Sequence, residues 1–320
     1  MMDMRKVMLL LASLWFVAGA SAQTIEPLKP DATTPPGLSA TETYRLWPDR
    51  APLATGDSPS ETPTLTVFRP GGRSNGTAVI IAPGGAYIGL SSVLEGVEPA
   101  RWFTTRGVTA FVLTYRVGKY GRLPKPFPDG ARAVRFVRVH AAEFKIDPSR
   151  IGMMGFSAGG HLAATTAVDA TPGNPDAADP AERVTSRPDF LILGYPWLEG
   201  TQTEPNGHSS YCDFVASALH ETCNPQDYIS YYPTKHVSSD TPPTFIYHTT
   251  DDGLVPVSGS VRFYLALVAN KVPAEMHLFQ TGPHGTGLGG DDPQLSQWPY
   301  LLQEWMRARG LLAEPPRDSH

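Results

Sequence analysis

Six short apolar runs, set between stretches of helical period, constrain this chain more than any other feature of its 320 residues. The runs are 77–82 (TAVIIA), 108–114 (VTAFVLT), 150–154 (RIGMM), 190–193 (FLIL), 243–248 (PTFIYH) and 275–279 (EMHLF). Their length and their Gly, Pro and Asp flanks predict strands. Between them, Ala131, Val134, Val137, Ala141 and Phe144 recur at three- and four-residue spacing, which predicts a helix over 129–144. Further helices are expected at 96–106, from the turn at 155–159 through 168, at 257–269 and at 298–309. Strands that are apolar throughout and alternate with helices imply an α/β fold: a mostly parallel sheet with helices on both faces. Ligands of such sheets sit beyond the carboxyl ends of the strands. That rule brings 83–87, 155–159, 251–252 and His284 to one rim.

Outside this repeat the chain changes character. Residues 1–22 read as an export signal: Arg5 and Lys6 precede an apolar run from Val7 to Ala18, and Ala20-Ser21-Ala22 supplies a small-x-small cleavage site. The run is too short for a membrane span, and no later segment is long and apolar enough for one. Residues 23–70 are polar and proline-rich, with one edge strand at 64–68 (TLTVF), and are expected to lie as an arm on the main domain at 71–314. A tail follows at 315–320. Residues 199–240 lack a clear period and are too long for an ordinary connection, so a cap over the rim is expected there. With 32 prolines, one residue in ten, the chain has about twice the usual share, which fits rigid turns and long surface loops.

The net charge of −5 argues against a nucleic-acid partner, which calls for a basic stripe. Cys212 and Cys223 are the only cysteines, and in an oxidising compartment each has one possible partner, so a disulfide between them is expected. No second cysteine pair or histidine cluster has metal-ligand spacing, so no metal site is expected. Arg132, Arg135 and Arg138 read as a solvated or salt-bridged helix face. Tyr228, Tyr231 and Tyr232 read as half-buried packing within the cap.

Gly155-Phe156-Ser157-Ala158-Gly159 is a G-x-S-x-G sequence between a predicted strand and a predicted helix, the context a nucleophile elbow requires. The serine sits on a cramped turn where a Cβ on either flank would collide with backbone, and the helix N-terminus aims unpaired N–H groups at developing negative charge. A serine nucleophile needs a base, and the base an orienting acid, in the chain order Ser, acid, His. Of the later histidines, His161 lies one turn into the elbow helix and is expected to point away. His248 and His277 fall within strands, where structural roles are expected, and His208, His220 and His236 fall in the expected cap. His284, in Gly282-Pro283-His284-Gly285, follows a strand onto a rim loop and is the expected base. Asp251 and Asp252 both stand at the end of the preceding strand and are the candidate acids. Pro83-Gly84-Gly85-Ala86-Tyr87 ends an early strand where an oxyanion loop belongs. Gly85 and Ala86, with Ala158, are the expected N–H donors, and Gly84 is a further candidate. Tyr87 and Trp197 stand near the rim as candidate substrate contacts.

Seven stretches now stand in order: LWP at 46–48, APGGAY at 82–87, DGARAVRFVR at 129–138, IGMMGFSAGGHLA at 151–163, LGYP at 193–196, TPPTFIYHTTDDGLVPV at 241–257 and GPHGTGL at 282–288. Together they resemble the α/β-hydrolase superfamily, and within it secreted bacterial carbohydrate esterases related to acetylxylan and feruloyl esterases. In such hydrolases the acid commonly stands four residues before the proline of a Val-Pro pair, so the resemblance selects Asp252 over Asp251. It implies an exported enzyme, periplasmic or secreted, that hydrolyses esters of acylated plant cell-wall carbohydrates, acetyl foremost, with a feruloyl or general small-acyl esterase as the alternative, and with no cofactor. Two departures lie near the rim. Many relatives carry His before the Glu-Gly that here follows Leu94, and Glu-Asn-Ser where this chain has Ser258-Gly259-Ser260. A serine peptidase of the prolyl-oligopeptidase type would usually add a propeller, for which the residues left after 22 leave no room. A binding protein on an inactive hydrolase fold would be expected to lose a triad member, and none is missing.

Overall fold

The computed structural model describes residues 25–28 and 42–312, so the expected signal at 1–22 and tail at 315–320 lie outside the described residues. Eight strands, β1 (Glu42–Arg45), β2 (Thr64–Phe68), β3 (Ala78–Ala82), β4 (Thr109–Thr114), β5 (Ile151–Phe156), β6 (Phe190–Gly194), β7 (Thr244–Thr249) and β8 (Ala274–Phe279), form one sheet in the order β1-β2-β4-β3-β5-β6-β7-β8. β1 pairs antiparallel with β2, and β2 with β4; the remaining pairs are parallel. The helices are α1 (Glu98–Thr104), α2 (Pro126–Val139), α3 (Ala141–Phe144), α4 (Ser157–Val168), α5 (Ser210–Phe214), α6 (Ser258–Ala269) and α7 (Trp298–Ala308).

The runs of β3 to β7 are buried on both sides, and successive residues feed opposite layers, whereas β8 at the sheet edge is only partly buried. Ile80, Phe111 and Met153 pack with Val134 and Val137 of α2, Leu162 of α4 and Phe263 of α6. Their neighbours Val79, Ile81, Val112 and Met154 pack with Phe103 of α1 and with Trp298 and Trp305 of α7. This two-layer burial is why the strands read as continuous apolar runs rather than as alternations. The central strands share one direction, so the carboxyl ends of β3, β5, β7 and β8 open onto one rim.

Several elements differ from expectation. β2 is not an edge strand, because β1, four residues within the proline-rich stretch, covers it. The helix expected over 129–144 starts earlier, at Pro126, and is interrupted at His140 (φ −99°, ψ 19°), leaving α3 as a single turn. Ahead of α1 the chain makes a π-helical turn over Val93–Val97. The strand into the elbow continues two residues past Met154, to Phe156.

The arginine face of α2 is ion-paired: Arg132 with Asp179 and Glu182, Arg135 with Glu182, and Arg138 with Asp189. Residues 199–240 hold only short pieces: α5, a π turn over Val215–Leu219 and 3-10 turns over Pro225–Tyr231 and Pro233–His236. Aromatic contacts and one bridge hold this segment in place of regular structure. Tyr211 packs on Tyr228 (4.9 Å between ring centroids), Tyr231 on Phe127 (5.1 Å), and Cys212 is bonded to Cys223 with 5.2 Å between their Cα atoms. Tyr228 and Tyr232 are buried as packing residues. Among the described residues no helix is long and apolar enough to cross a membrane.

Candidate active site

The sharpest turn of the rim lies between β5 and α4. Ser157 takes φ +51° there, a conformation that costs a non-glycine residue about 1–3 kcal/mol and persists only where the surroundings enforce it. Both flanking glycines are sterically required. A Cβ at Gly155 would lie 2.1 Å from the Gly159 carbonyl oxygen, and one at Gly159 would lie 2.1 Å from that of Ala82. The elbow is thus pressed against the end of β3, the strand that leads into 83–87.

Three side chains from three loops meet at this turn. His284 Nε2 lies 2.8 Å from Ser157 Oγ, and His284 Nδ1 lies 2.7 Å from Asp252 Oδ2. Asp252 Oδ1 accepts from the Leu254 and Val255 N–H groups at 2.9 and 2.8 Å. Burial works against the Asp252 charge. The donors outweigh it, namely His248, the Val255 amide, His284 and the Leu254 amide, and hold the carboxyl well below the usual carboxylate range. A carboxylate facing Nδ1 requires a proton there, which leaves Nε2 with a lone pair toward Ser157 Oγ. Asp251, the other candidate acid, turns away and accepts from the Gly282 N–H at 2.7 Å, bracing the loop that carries His284.

The expected oxyanion loop bends through three positive φ values in a row: +131° at Gly85, +57° at Ala86 and +62° at Tyr87. Among the described residues the Gly85 and Ala86 N–H groups have no hydrogen-bond acceptor, and the Ala158 N–H belongs to the unpaired first turn of α4. Gly84 is corrected: its N–H donates to Glu95 Oε2 at 2.8 Å and is not available to a ligand. Tyr87 is corrected as well. Its positive φ turns the ring inward, where its hydroxyl meets His161 Nδ1 at 2.8 Å, buried and away from the cavity beside the serine. His161 Nε2 donates to the Tyr231 carbonyl at 2.8 Å, so His161 points away from Ser157 as expected. Burial pushes its pKa down to about 4, and the imidazole is neutral.

Trp197 stands at the rim beside Ser157. With Ala86, Phe214, Leu254 and Pro256 it lines a cavity of about 360 Å³ that opens on Ser157. Glu199, Glu204 and Ser210 add polar groups to the same wall.

His248, Glu95 and the Tyr195 that donates to Glu95 escaped the sequence reading as site residues. His248, read as structural, is fully buried with Nε2 between Asp252 Oδ2 (3.2 Å) and the Val255 carbonyl (3.1 Å), while its Nδ1 meets Ser260 Oγ at 2.8 Å. Its four-residue offset from Asp252 at the end of a strand was the available signal. Glu95, noted only within a departure from pattern, is a buried carboxylate behind the oxyanion loop. Burial pushes its pKa up, against hydrogen bonds from Tyr195 and the Gly84 amide and the nearby His284. A charged residue in an otherwise apolar stretch was the signal there.

Together these groups can carry out acyl transfer through a serine nucleophile, with an imidazole base oriented by a carboxylate. The fold agrees with this chemistry. The crystal structure of an acetyl ester-xyloside bifunctional hydrolase from Caldicellulosiruptor lactoaceticus superposes with a TM-score of 0.77 at 34% identity, covering 88% of this chain and all of that one. The architecture is the α/β-hydrolase fold. Among curated proteins, endo-1,4-beta-xylanase B of Butyrivibrio fibrisolvens is 35% identical over 240 residues, 72% of this chain and 36% of that protein. An acetylxylan esterase of Xylanibacter ruminicola is 32% identical over 219 residues, 67% of this chain and 42% of that protein. The chain thus spans about two fifths of the length of these two relatives. The BD-FAE family model matches residues 65–267, a stretch that includes Ser157 and Asp252 and ends before His284. This chain belongs to the BD-FAE family.

Proposed function

We propose that this chain is a serine carboxylic-ester hydrolase that removes acyl groups, acetyl foremost, from plant cell-wall polysaccharides or oligosaccharides. The observation that carries the proposal is the Ser157–His284–Asp252 chain, closed at 2.8 and 2.7 Å beside free backbone donors. His284 Nε2 takes the proton as Ser157 Oγ attacks the ester carbonyl carbon. The oxyanion is met by the N–H groups of Gly85, Ala86 and Ala158. As the carbonyl re-forms, the C–O bond to the sugar breaks and the departing oxygen takes the proton from His284. Water, deprotonated by the same imidazole, then attacks the acyl-enzyme, and the acid leaves as Ser157 regains its proton. Only this chain's own residues and water enter the steps.

Three features support a carbohydrate ester. The relatives above include an endo-1,4-beta-xylanase and an acetylxylan esterase, and the structural neighbour is an acetyl ester-xyloside bifunctional hydrolase. The cavity of about 360 Å³ exceeds what an acetyl group fills and leaves room for a sugar ring against Trp197 and Phe214. Glu199, Glu204 and Ser210 offer hydroxyl partners on its wall. Export to the periplasm or beyond is part of the proposal, supported by the signal-like residues 1–22 and by the Cys212–Cys223 bridge, which an oxidising compartment preserves. Residues 199–240, which supply part of the cavity wall, are proposed to act as the cap.

The test is acid release from acetylated xylan and from feruloylated xylan, with 4-nitrophenyl acetate as a small control. Acetate release from xylan is expected, with little ferulate. Cleavage of the aryl acetate without release from either polysaccharide would reject the carbohydrate reading and leave the serine chemistry standing.

A further inference from the structure

Both oxygens of Glu95 are spent on the catalytic rim. Oε2 accepts the Gly84 N–H at 2.8 Å, and Oε1 accepts the Tyr195 hydroxyl at 2.6 Å. The Tyr195 oxygen in turn accepts the Gly287 N–H at 2.9 Å, three residues beyond His284. One carboxylate therefore links the loop that carries Gly85 and Ala86 to the loop that carries the base. The link runs in one hydrogen-bond direction throughout: two donors point at the carboxylate, and the hydroxyl has a donor behind it.

The surroundings are shaped to keep this link. Gly84 must lack a side chain, since a Cβ there would lie 2.6 Å from Glu95 Oε2 and 2.9 Å from Ser157 Cβ. Tyr195 is held at φ +34°, an unusual conformation for a tyrosine, and its ring packs edge-on against the His284 imidazole with centroids 4.9 Å apart. Glu95 itself sits in the π-helical turn Val93–Val97, and π turns frequently mark functional sites. A carboxylate this close to a developing oxyanion opposes its charge, so a purely electrostatic role in holding the oxyanion is the wrong one for Glu95. Its geometric role is the consistent one.

We propose that Glu95 and Tyr195 are positioning residues that set the separation between the oxyanion loop and the His284 loop. The proposal rests on Ser157 being the nucleophile. It predicts an effect on the chemical step, because a transition state is sensitive to misplacements that ground-state binding tolerates.

The test uses the full chain, with Tyr195→Phe, Glu95→Gln, the double variant and Ser157→Ala beside the parent. Tyr195→Phe removes one oxygen and keeps the ring against His284. Glu95→Gln keeps the shape but turns an amide N–H₂ toward one of the two donors. For 4-nitrophenyl acetate, each single variant is expected to lose about tenfold or more in kcat, with KM changed less than about threefold. The rate of inactivation by a fluorophosphonate should fall in parallel. Because the two residues form one link, the double variant should be no more than about twofold slower than the slower single variant. The proposal is overturned if Tyr195→Phe folds and keeps kcat within about twofold of the parent, if the losses appear in KM alone, or if they multiply in the double variant. Should Glu95→Gln fail to fold, Tyr195→Phe decides alone. If Ser157→Ala stays active, the nucleophile reading fails. If it is inactive while the other variants match the parent, only the positioning role fails.

Discussion

Replacing Asp252 by Asn removes a charge while keeping the shape, and the structure shows what must follow. The carboxylate receives four hydrogen bonds and gives none: Leu254 and Val255 N–H to Oδ1, His284 and His248 to Oδ2. Asparagine has one acceptor oxygen, so its N–H₂ must face two donors in either orientation. If the N–H₂ replaces Oδ1, two loop amides lose their acceptor, at a cost of about 1–3 kcal/mol each. If it replaces Oδ2, His284 can relieve the conflict by moving its proton from Nδ1 to Nε2. His248 cannot follow, because the Val255 carbonyl at 3.1 Å keeps the proton on its Nε2. The second orientation is the cheaper one, and in it the His284 lone pair no longer faces Ser157. We expect Asp252→Asn to lower kcat for 4-nitrophenyl acetate by about a thousand- to ten-thousandfold, equivalent to about 4–5.5 kcal/mol of barrier. Asp251→Asn, which disturbs only the bond to Gly282, should cost less than tenfold, by about the margin of an exposed hydrogen bond. A folded Asp252→Asn enzyme that lost less than about tenfold would refute the assignment of Asp252 as the residue that orients the base.

Three other perturbations follow from the geometry. Burial depresses His161 to about 4, while an unfolded chain returns it to about 6.5, so the native state binds fewer protons in that window and loses stability as pH falls through it. The loss amounts to about 3 kcal/mol by pH 4; in His161→Gln, which cannot be protonated, denaturant melts between pH 7 and 4 should show a flatter decline. A Cβ at Gly159 would lie 2.1 Å from the Ala82 carbonyl oxygen, so Gly159→Ala must push the elbow and the oxyanion loop apart by about 1 Å. Loss of about 1–3 kcal/mol in stability and about a hundredfold in kcat is expected, read by thermal melts and ester hydrolysis. Trp197→Ala empties one wall of the cavity, and KM for an acetylated xylo-oligosaccharide should rise about three- to tenfold while KM for 4-nitrophenyl acetate moves less.

What was legible in the sequence was what local sterics and burial dictate. Strands buried on both faces show as unbroken apolar runs, and β3 to β7 were read that way. The elbow was legible because Gly155 and Gly159 each meet backbone at 2.1 Å, so only that residue type fits at those spacings. What the sequence hid depended on contacts between distant segments. β1 exists because β2 offers it a partner, not because four residues of ETYR prefer extension. Tyr87 looked like a rim residue, but the backbone turn at Ala86 and Tyr87 rotates its ring onto His161. Asp251 and Asp252 are indistinguishable as letters. Only the Val-Pro spacing carried by the resemblance favoured Asp252; the physical separation comes when the amides of Leu254 and Val255 draw Asp252 inward and that of Gly282 draws Asp251 outward. Residues 199–240 carried no period because packed tyrosines and the Cys212–Cys223 bridge hold them, and neither leaves a repeat.

The central claim is that Ser157 is the nucleophile of a working acyl-transfer site, and covalent labelling tests it most directly. The full chain is treated with a fluorophosphonate and digested, and the adduct is mapped by mass spectrometry alongside 4-nitrophenyl acetate hydrolysis. The account predicts one adduct per chain, on the peptide that contains Ser157, with hydrolysis lost in step with labelling. An adduct on another residue, or hydrolysis that survives complete labelling of Ser157, would contradict it.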